Sequence, residues 1–234
     1  MKTLKHENNL FQCSSDARAF MMNIQVPTTH YTNEQYDHKA RWISYWQQIH
    51  EVMKVRPQNV LEVGLGSGVT ANYIRARGAD LKTLDIDEAL KPDYAGSVLA
   101  MPLLDSSFDV VCAFEVLEHL PFQDFQKALR EMARVAHKYV IISIPDSRHT
   151  LLRLTLKVPF LPQIDWLWKM NSWKVHKFNG QHYWEIGKRG YSLSRVRNAM
   201  QLAGLKFIKD YVTTDCPTKH FFVLEKISSE SIAK

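Results

Sequence analysis

Two hydrophobic rhythms alternate along residues 36–226: short, nearly continuous apolar runs, and longer stretches where apolar side chains return every three or four positions. Residues 36–52 carry Trp42, Ile43, Tyr45, Trp46, Ile49 and Val52 at the second spacing, which predicts an amphipathic helix with Trp42 and Trp46 in the core. Residues 60–63 are predicted to be a short buried strand, and Gly64, Gly66 and Gly68 follow it. A helix is expected over 69–77, stopped by Gly78, and a second strand over 81–85. The run at 108–114 reads as a strand buried between helix layers. A helix at 123–134 and a fifth strand at 139–145 come next. Ser192 and Ser194 suit the cap of a helix at 195–203 that Gly204 ends. Two last strands, 205–212 and 220–226, flank a turn containing Pro217.

The glycine loop is where this pattern acquires chemistry. Three glycines after a strand let the chain turn tightly and approach a ligand closely before a helix begins. Asp85, seventeen residues after Gly68, ends the next strand, where a carboxylate can accept from two ribose hydroxyls. Asp87 is read as a loop or capping residue. The Gly-x-Gly-x-Gly spacing departs from the dinucleotide pattern Gly-x-Gly-x-x-Gly, which argues against a nicotinamide-linked oxidoreductase. A plain strand-to-helix turn is the bland reading of the loop alone.

Leu61-Glu-Val-Gly-Leu-Gly-Ser-Gly68, then Gly96-Ser-Val-Leu-Ala-Met-Pro-Leu-Leu-Asp-Ser-Ser-Phe-Asp-Val-Val111, then Phe114-Glu-Val-Leu-Glu-His-Leu120 keep one order. In that order they resemble the first motif, the third region with the fourth strand, and the segment leaving that strand in class I S-adenosylmethionine methyltransferases. The likeness is to the broad branch that includes ubiquinone and menaquinone methyltransferases and methyltransferase type 11 domains. It spans residues 58–146, with a weaker match at the C-terminal end. It implies an α/β fold: a Rossmann-like seven-stranded sheet, mostly parallel with a C-terminal antiparallel hairpin, and helices on both faces. It also implies S-adenosyl-L-methionine as cofactor and S-adenosyl-L-homocysteine as product. By the same resemblance Gly64, Gly66 and Gly68 wrap the methionine and ribose parts, and Glu62 or nearby backbone meets the amino group. Asp85, with Ile86 beside it, holds the ribose hydroxyls. Ser97 and Val98 flank adenine, and Glu115 borders the transfer site.

Two positions depart from the family or divide it. Ser97 stands where relatives often carry an aspartate, and a hydroxyl is the weaker acceptor. Glu115-Val-Leu-Glu118-His119 resembles a metal site of certain ubiquinone and small-RNA 2′-O-methyltransferases, in which carboxylates and imidazole hold Mg²⁺ or Zn²⁺ against a hydroxyl. Metal-free members share these letters, their glutamates capping the helix. The expectation here is no metal, with His119 as the candidate general base. Arg41 is read as a solvated arginine, contact with a cofactor carboxylate being the alternative.

Composition sharpens the picture at one place. The 234 residues are 45% apolar and 23% charged with a net charge of +6, ordinary for one globular domain. No apolar run is long enough for a membrane span, and residues 1–9 lack a signal-peptide core, so the cytoplasm is expected. Cys13, Cys112 and Cys216 are too far apart for a disulfide framework or metal spacing and read as reduced thiols. Residues 1–35 read as an arm, and 36–234 as a single domain interrupted at about 147–190. That insertion has eight Lys and Arg against two acidic residues, 8 − 2 = +6, and four of the six tryptophans. It is expected to be a cap whose apolar side packs on the domain. A lid for an anionic or lipophilic acceptor, a peripheral membrane contact and a nucleic-acid surface are the other readings. His176, Asn179, His182, Tyr183 and Glu185 are its candidates to face a substrate, with surface or internal hydrogen bonds the simpler expectation for each.

The reading is therefore a methyltransferase that positions a small-molecule or lipophilic acceptor against a sulfonium methyl. A non-catalytic cofactor-binding module and a metal-assisted 2′-O-methyltransferase acting on RNA stand as alternatives.

Overall fold

A computed structural model of the chain describes residues 26–31 and 36–227. The expected arm at 1–35 lies mostly outside the described residues, as does Cys13. Nine strands and four α-helices are described: β1 Asn59–Val63, β2 Asp80–Asp85, β3 Tyr94–Ala95, β4 Phe108–Phe114, β5 Ala136–Pro145, β6 His149–Leu156, β7 Ile164–Met170, β8 Leu205–Tyr211 and β9 Lys219–Lys226; α1 Lys39–Lys54, α2 Val69–Ala76, α3 Phe122–Val135 and α4 Leu193–Leu202. Seven strands form one sheet in the order β3-β2-β1-β4-β5-β9-β8. The first five are parallel, while β9 runs antiparallel to both β5 and β8.

Period-two alternation divides the core between the two faces of this sheet. Leu61, Val63, Val111, Ala113, Val140 and Ile142 join Phe125, Leu129 and Met132 of α3 on one side. Val60, Val110, Cys112, Ile141 and Val223 join Ala71 and Ile74 of α2 on the other. Because both faces are covered, the central strands β1, β4 and β5 read in sequence as mostly apolar runs, interrupted by Glu62, Asp109 and Ser143.

Two expectations require correction. Trp42 and Trp46 are not core residues; they are 54% and 59% exposed, with Trp46 stacked on His50 at 4.8 Å. The buried face of α1 carries Ser44, Tyr45, Gln47, Gln48, Glu51 and Val52 instead. Polar side chains can face inward there because partners await them. Thr70 Oγ1 donates to Gln48 Oε1 at 2.9 Å, while Lys209 Nζ and the Tyr211 hydroxyl donate to Glu51 at 2.6 and 2.8 Å. Burying a paired polar group costs little.

The second correction concerns the insertion. It is not a cap packed by its apolar side. Strands β6 and β7 form a separate two-stranded sheet, and Leu152, Leu154, Leu156, Trp166 and Trp168 are exposed. Only the returning part enters the core. Trp184 is fully buried, packed between Phe122 and Phe125 with both ring centroids 4.9 Å away, and its Nε1 donates to the Leu120 carbonyl at 3.1 Å.

A buried polar knot roots the hairpin in the sheet. The Asp146 carboxylate meets Arg148 Nη2 at 2.6 Å, Lys169 Nζ at 3.0 Å and His220 Nδ1 at 3.3 Å. Burial alone would raise its pKa. The hydrogen bonds from His220 and Arg148 and the charge of Lys169 outweigh that and hold the carboxyl well below the usual range.

Candidate active site

In an open α/β sheet the crevice lies at the carboxyl edge where the strand order reverses, here between β1 and β4. A cavity of about 420 Å³ occupies that place. Gly64, Gly66 and Gly68 turn along its floor with φ of +83°, +51° and +72°, all in the region L side chains avoid. Gly64 is fixed by space as well, since a Cβ there would run into the Val116 side chain.

Asp85 ties the loop down. Its carboxylate accepts the backbone N–H of Leu65 at 2.8 Å and that of Asp87 at 2.9 Å. Burial raises its pKa, and these backbone hydrogen bonds work against the rise. Each carboxylate oxygen has a second lone pair for a ligand. Asp87 accepts from the Ala89 N–H at 2.9 Å and caps the short 3₁₀ turn Glu88–Leu90. Glu62 is fully enclosed beneath the loop. Among the described residues its Oε2 has no hydrogen-bond partner, and burial pushes its pKa up to about 8. Ile86, Ser97 and Val98 line the cavity wall, and Ser97 Oγ accepts from the Leu99 N–H at 3.2 Å.

Glu115 follows β4 with φ +60°, a conformation that costs a non-glycine residue about 1–3 kcal/mol and gathers at functional sites. Ser143 Oγ donates to its Oε1 at 3.0 Å, and Lys219 pairs with its Oε2. Glu115 therefore stands apart from Glu118. The cluster brought together by the fold is Glu118, His119 and His182, with one ligand atom from each lying within 4.8 Å of the others. Glu118 is fully buried, and among the described residues neither of its carboxylate oxygens has a hydrogen-bond partner. Burial lifts it to about 8. His119 Nδ1 lies 3.0 Å from the Gln181 carbonyl, so that nitrogen carries the proton. Burial and the neighbouring His182 depress its pKa to about 4. His182 Nδ1 meets Glu185 Oε1 at 2.9 Å, its Nε2 is 4.0 Å from Glu118 Oε1, and its ring stands edge-on to His119 at 5.1 Å. The hydrogen bond from His182, working against burial, takes Glu185 down to about 2. These three groups could hold a divalent cation, or two of them could pass a proton.

The other wall comes from Tyr31, Tyr36 and Arg41, which periodicity does not mark, and from Tyr45, which it does. Tyr31 and Tyr36 roof the glycine loop, packed edge-to-face with ring centroids 5.4 Å apart. Arg41 is not a solvated arginine: it lines the cavity, its guanidinium 3.9 Å above the Tyr36 ring and its Nε donating to the Tyr36 carbonyl at 3.1 Å. The Tyr45 hydroxyl reaches Ser67 Oγ at 2.9 Å, joining α1 to the loop.

Residues 61–143 match the family described as methyltransferase domain. This segment is similar to a methyltransferase domain. A Mycobacterium tuberculosis protein named as a probable S-adenosylmethionine-dependent methyltransferase is 32% identical over 108 residues, covering 39% of this chain and 39% of the relative. Norajmaline N-methyltransferase of Rauvolfia serpentina is 32% identical over 99 residues, 35% of this chain and 33% of the relative. The chain thus spans about two fifths or less of the curated relatives it matches. Among solved structures, the Burkholderia thailandensis 1,6-didemethyltoxoflavin-N1-methyltransferase, bound to its substrate and S-adenosylhomocysteine, superimposes with a TM-score of 0.59 at 13% identity, over 86% of this chain and 85% of that one. The N-methyltransferase NodS of Bradyrhizobium japonicum gives 0.56 at 10% identity, over 86% and 96%. These likenesses show the fold, and the glycine loop and β4 fall within the matched segment. The walls built by α1 and residues 181–185 fall outside it.

Proposed function

We propose that this protein is an S-adenosylmethionine-dependent methyltransferase acting on a small or lipophilic acceptor and releasing S-adenosylhomocysteine. The observation that carries the reading is the glycine loop locked to Asp85 at the rim of the cavity. It is supported by the matched domain and by relatives named for this cofactor. The cavity fits the group. Asp85 offers lone pairs to ribose hydroxyls, Ile86, Ser97 and Val98 flank the base, and Glu62 is an acid beneath the loop with an unpaired oxygen for the amino group. The cofactor supplies a methyl on a sulfonium, already a good leaving group, so positioning and exclusion of water carry most of the acceleration.

The acceptor's lone pair forms the bond to carbon while the carbon–sulfur bond breaks and its electrons return to sulfur. An acceptor proton must then leave. We assign the role of proton acceptor to His182, which Glu185 orients through Nδ1 at 2.9 Å, as a carboxylate orients a catalytic histidine. His119, held near 4 by burial, positions the acceptor beside it. Thermal unfolding with S-adenosylhomocysteine, S-adenosylmethionine, NAD and buffer tests the reading. At a hundred times its dissociation constant a ligand adds about 2.7 kcal/mol. The first two ligands should raise Tm and NAD should not; a shift with NAD alone would overturn the assignment.

The buried Glu118 carboxylate, which has no hydrogen bond among the described residues, favours a second reading. Glu118, His119 and His182 would hold a divalent cation, which lowers the pKa of an acceptor hydroxyl, and transfer would then go to oxygen. Hydrogen bonds from the outer ring nitrogens to Gln181 and Glu185 are the supports that metal-bound histidines use. Raised Tm with Zn²⁺ or Mn²⁺ in wild type, lost in Glu118→Gln, supports this reading. An unchanged Tm removes it.

A further inference from the structure

We propose that the β6–β7 hairpin is a docking element for an anionic lipid bilayer. The register places Leu152 opposite Trp168, Leu154 opposite Trp166 and Leu156 opposite Ile164. Directly opposed residues point to the same side of a sheet, so one face of the hairpin carries six large apolar side chains, 46–68% exposed. The face continues around the tip, where Val158, Phe160 and Leu161 are exposed, Phe160 fully. The opposite side carries the polar residues of the hairpin: Thr155 Oγ1 donates to Asp165 at 2.6 Å, and Arg153 stands opposite Leu167. Nothing among the described residues of the chain covers the apolar face.

Charge complementarity selects the occupant. Between residues 149 and 183 there are five Lys and Arg and a single acidic residue, Asp165. Arg153, Lys157, Lys174 and Lys177 are exposed. The run after the hairpin, Trp173-Lys-Val-His-Lys-Phe178, continues the mixture, with Trp173, Val175 and Phe178 exposed. Indole rings and basic side chains around an apolar face are the combination that settles at the boundary between acyl chains and acidic headgroups. A second copy of the chain would suit the apolar face, but it would bring the two sets of cations together. Among the described residues each strand of the hairpin pairs only with the other, and an open strand edge is not tolerated in hydrocarbon. The hairpin therefore lies at headgroup depth with only its apolar face and tip in the acyl region.

The full-length protein should be sedimented with phosphatidylcholine vesicles and with vesicles that also carry phosphatidylglycerol, at low and high salt. Strong binding to the anionic vesicles alone, weakened by salt, is expected. Removing Lys157, Lys174 and Lys177 together, each as Lys→Gln, should lower partitioning by about a hundredfold, since each cation near the surface contributes about a factor of five. Phe160→Asp with Trp166→Ser should abolish pelleting while the Tm shift by S-adenosylhomocysteine is retained, which separates docking from the methyltransferase reading. No pelleting of wild type, equal pelleting on neutral vesicles, or a concentration-dependent dimer that these variants dissociate would overturn the proposal.

Discussion

The Asp85 carboxylate accepts the Leu65 backbone N–H at 2.8 Å, so the acid at the end of β2 holds the glycine loop in shape before any ligand arrives. Asp85→Ala then removes two things at once. Loss of charge-assisted hydrogen bonds to ribose should weaken S-adenosylhomocysteine by about 1.5–3 kcal/mol, and the unpaired Leu65 N–H should lower Tm. Titration calorimetry and unfolding of the same variant check both. Unchanged affinity would remove Asp85 from the ligand.

Glu62 and Glu118 both sit near 8 because burial penalises their charged forms. In the unfolded chain they ionise near 4.5, so between about 4.5 and 8 the folded state binds more protons. Stability contributed by each group is complete below the lower value and is lost as pH rises to the upper one, by at most about 1.4 kcal/mol per pH unit per group. Urea unfolding at pH 5, 6.5 and 8 should show that decline. Glu62→Gln with Glu118→Gln should flatten it.

His182→Gln should cut kcat by about 10²- to 10⁴-fold with cofactor affinity intact, and Glu185→Gln should reproduce part of that loss. His119→Ala should cost less than His182→Gln. The reverse order, measured on any accepted substrate, would return the base role to His119.

Asp146→Ala leaves Arg148 and Lys169 facing one another without their counter-ion. Breaking such a buried group by removing one partner costs about 3–5 kcal/mol, readable by chemical denaturation. Restoring the carboxylate one methylene further out, Asp146→Glu, should recover only part of it, because the knot is closed on three sides.

Much of the fold could be read from the residues alone, for a physical reason. Strands β1, β4 and β5 are covered on both faces, so their sequences are mostly apolar runs between turn residues, and α3 has one wet face and one dry. The misreadings occur where hydrophobicity and burial part company. Trp42 and Trp46 have helical spacing, yet the inward face of α1 is polar, because Thr70, Lys209 and Tyr211 from distant segments complete it. Apolar residues are not obliged to be inside, and the leucines and tryptophans of the hairpin make the same point. In the site, the glycine loop and Asp85 are local signals. His182 is not: sixty-two positions separate His119 from Gln181, whose carbonyl holds it. No spacing rule reaches that far. Glu115 was grouped with Glu118 by a short sequence pattern, but a left-handed residue at the end of β4 sends the two carboxylates to different neighbours.

Trp184, seated between Phe122 and Phe125, has a consequence for quality control of the protein. It is the plug that brings Gln181, His182 and Glu185 to the crevice, whereas the loop and Asp85 are complete without it. On the proposed function, a chain in which that plug has slipped would still capture the nucleoside half of the cofactor and yet stand idle. Ligand occupancy and turnover would then part ways, and turnover alone would report whether the long excursion after β5 had come home.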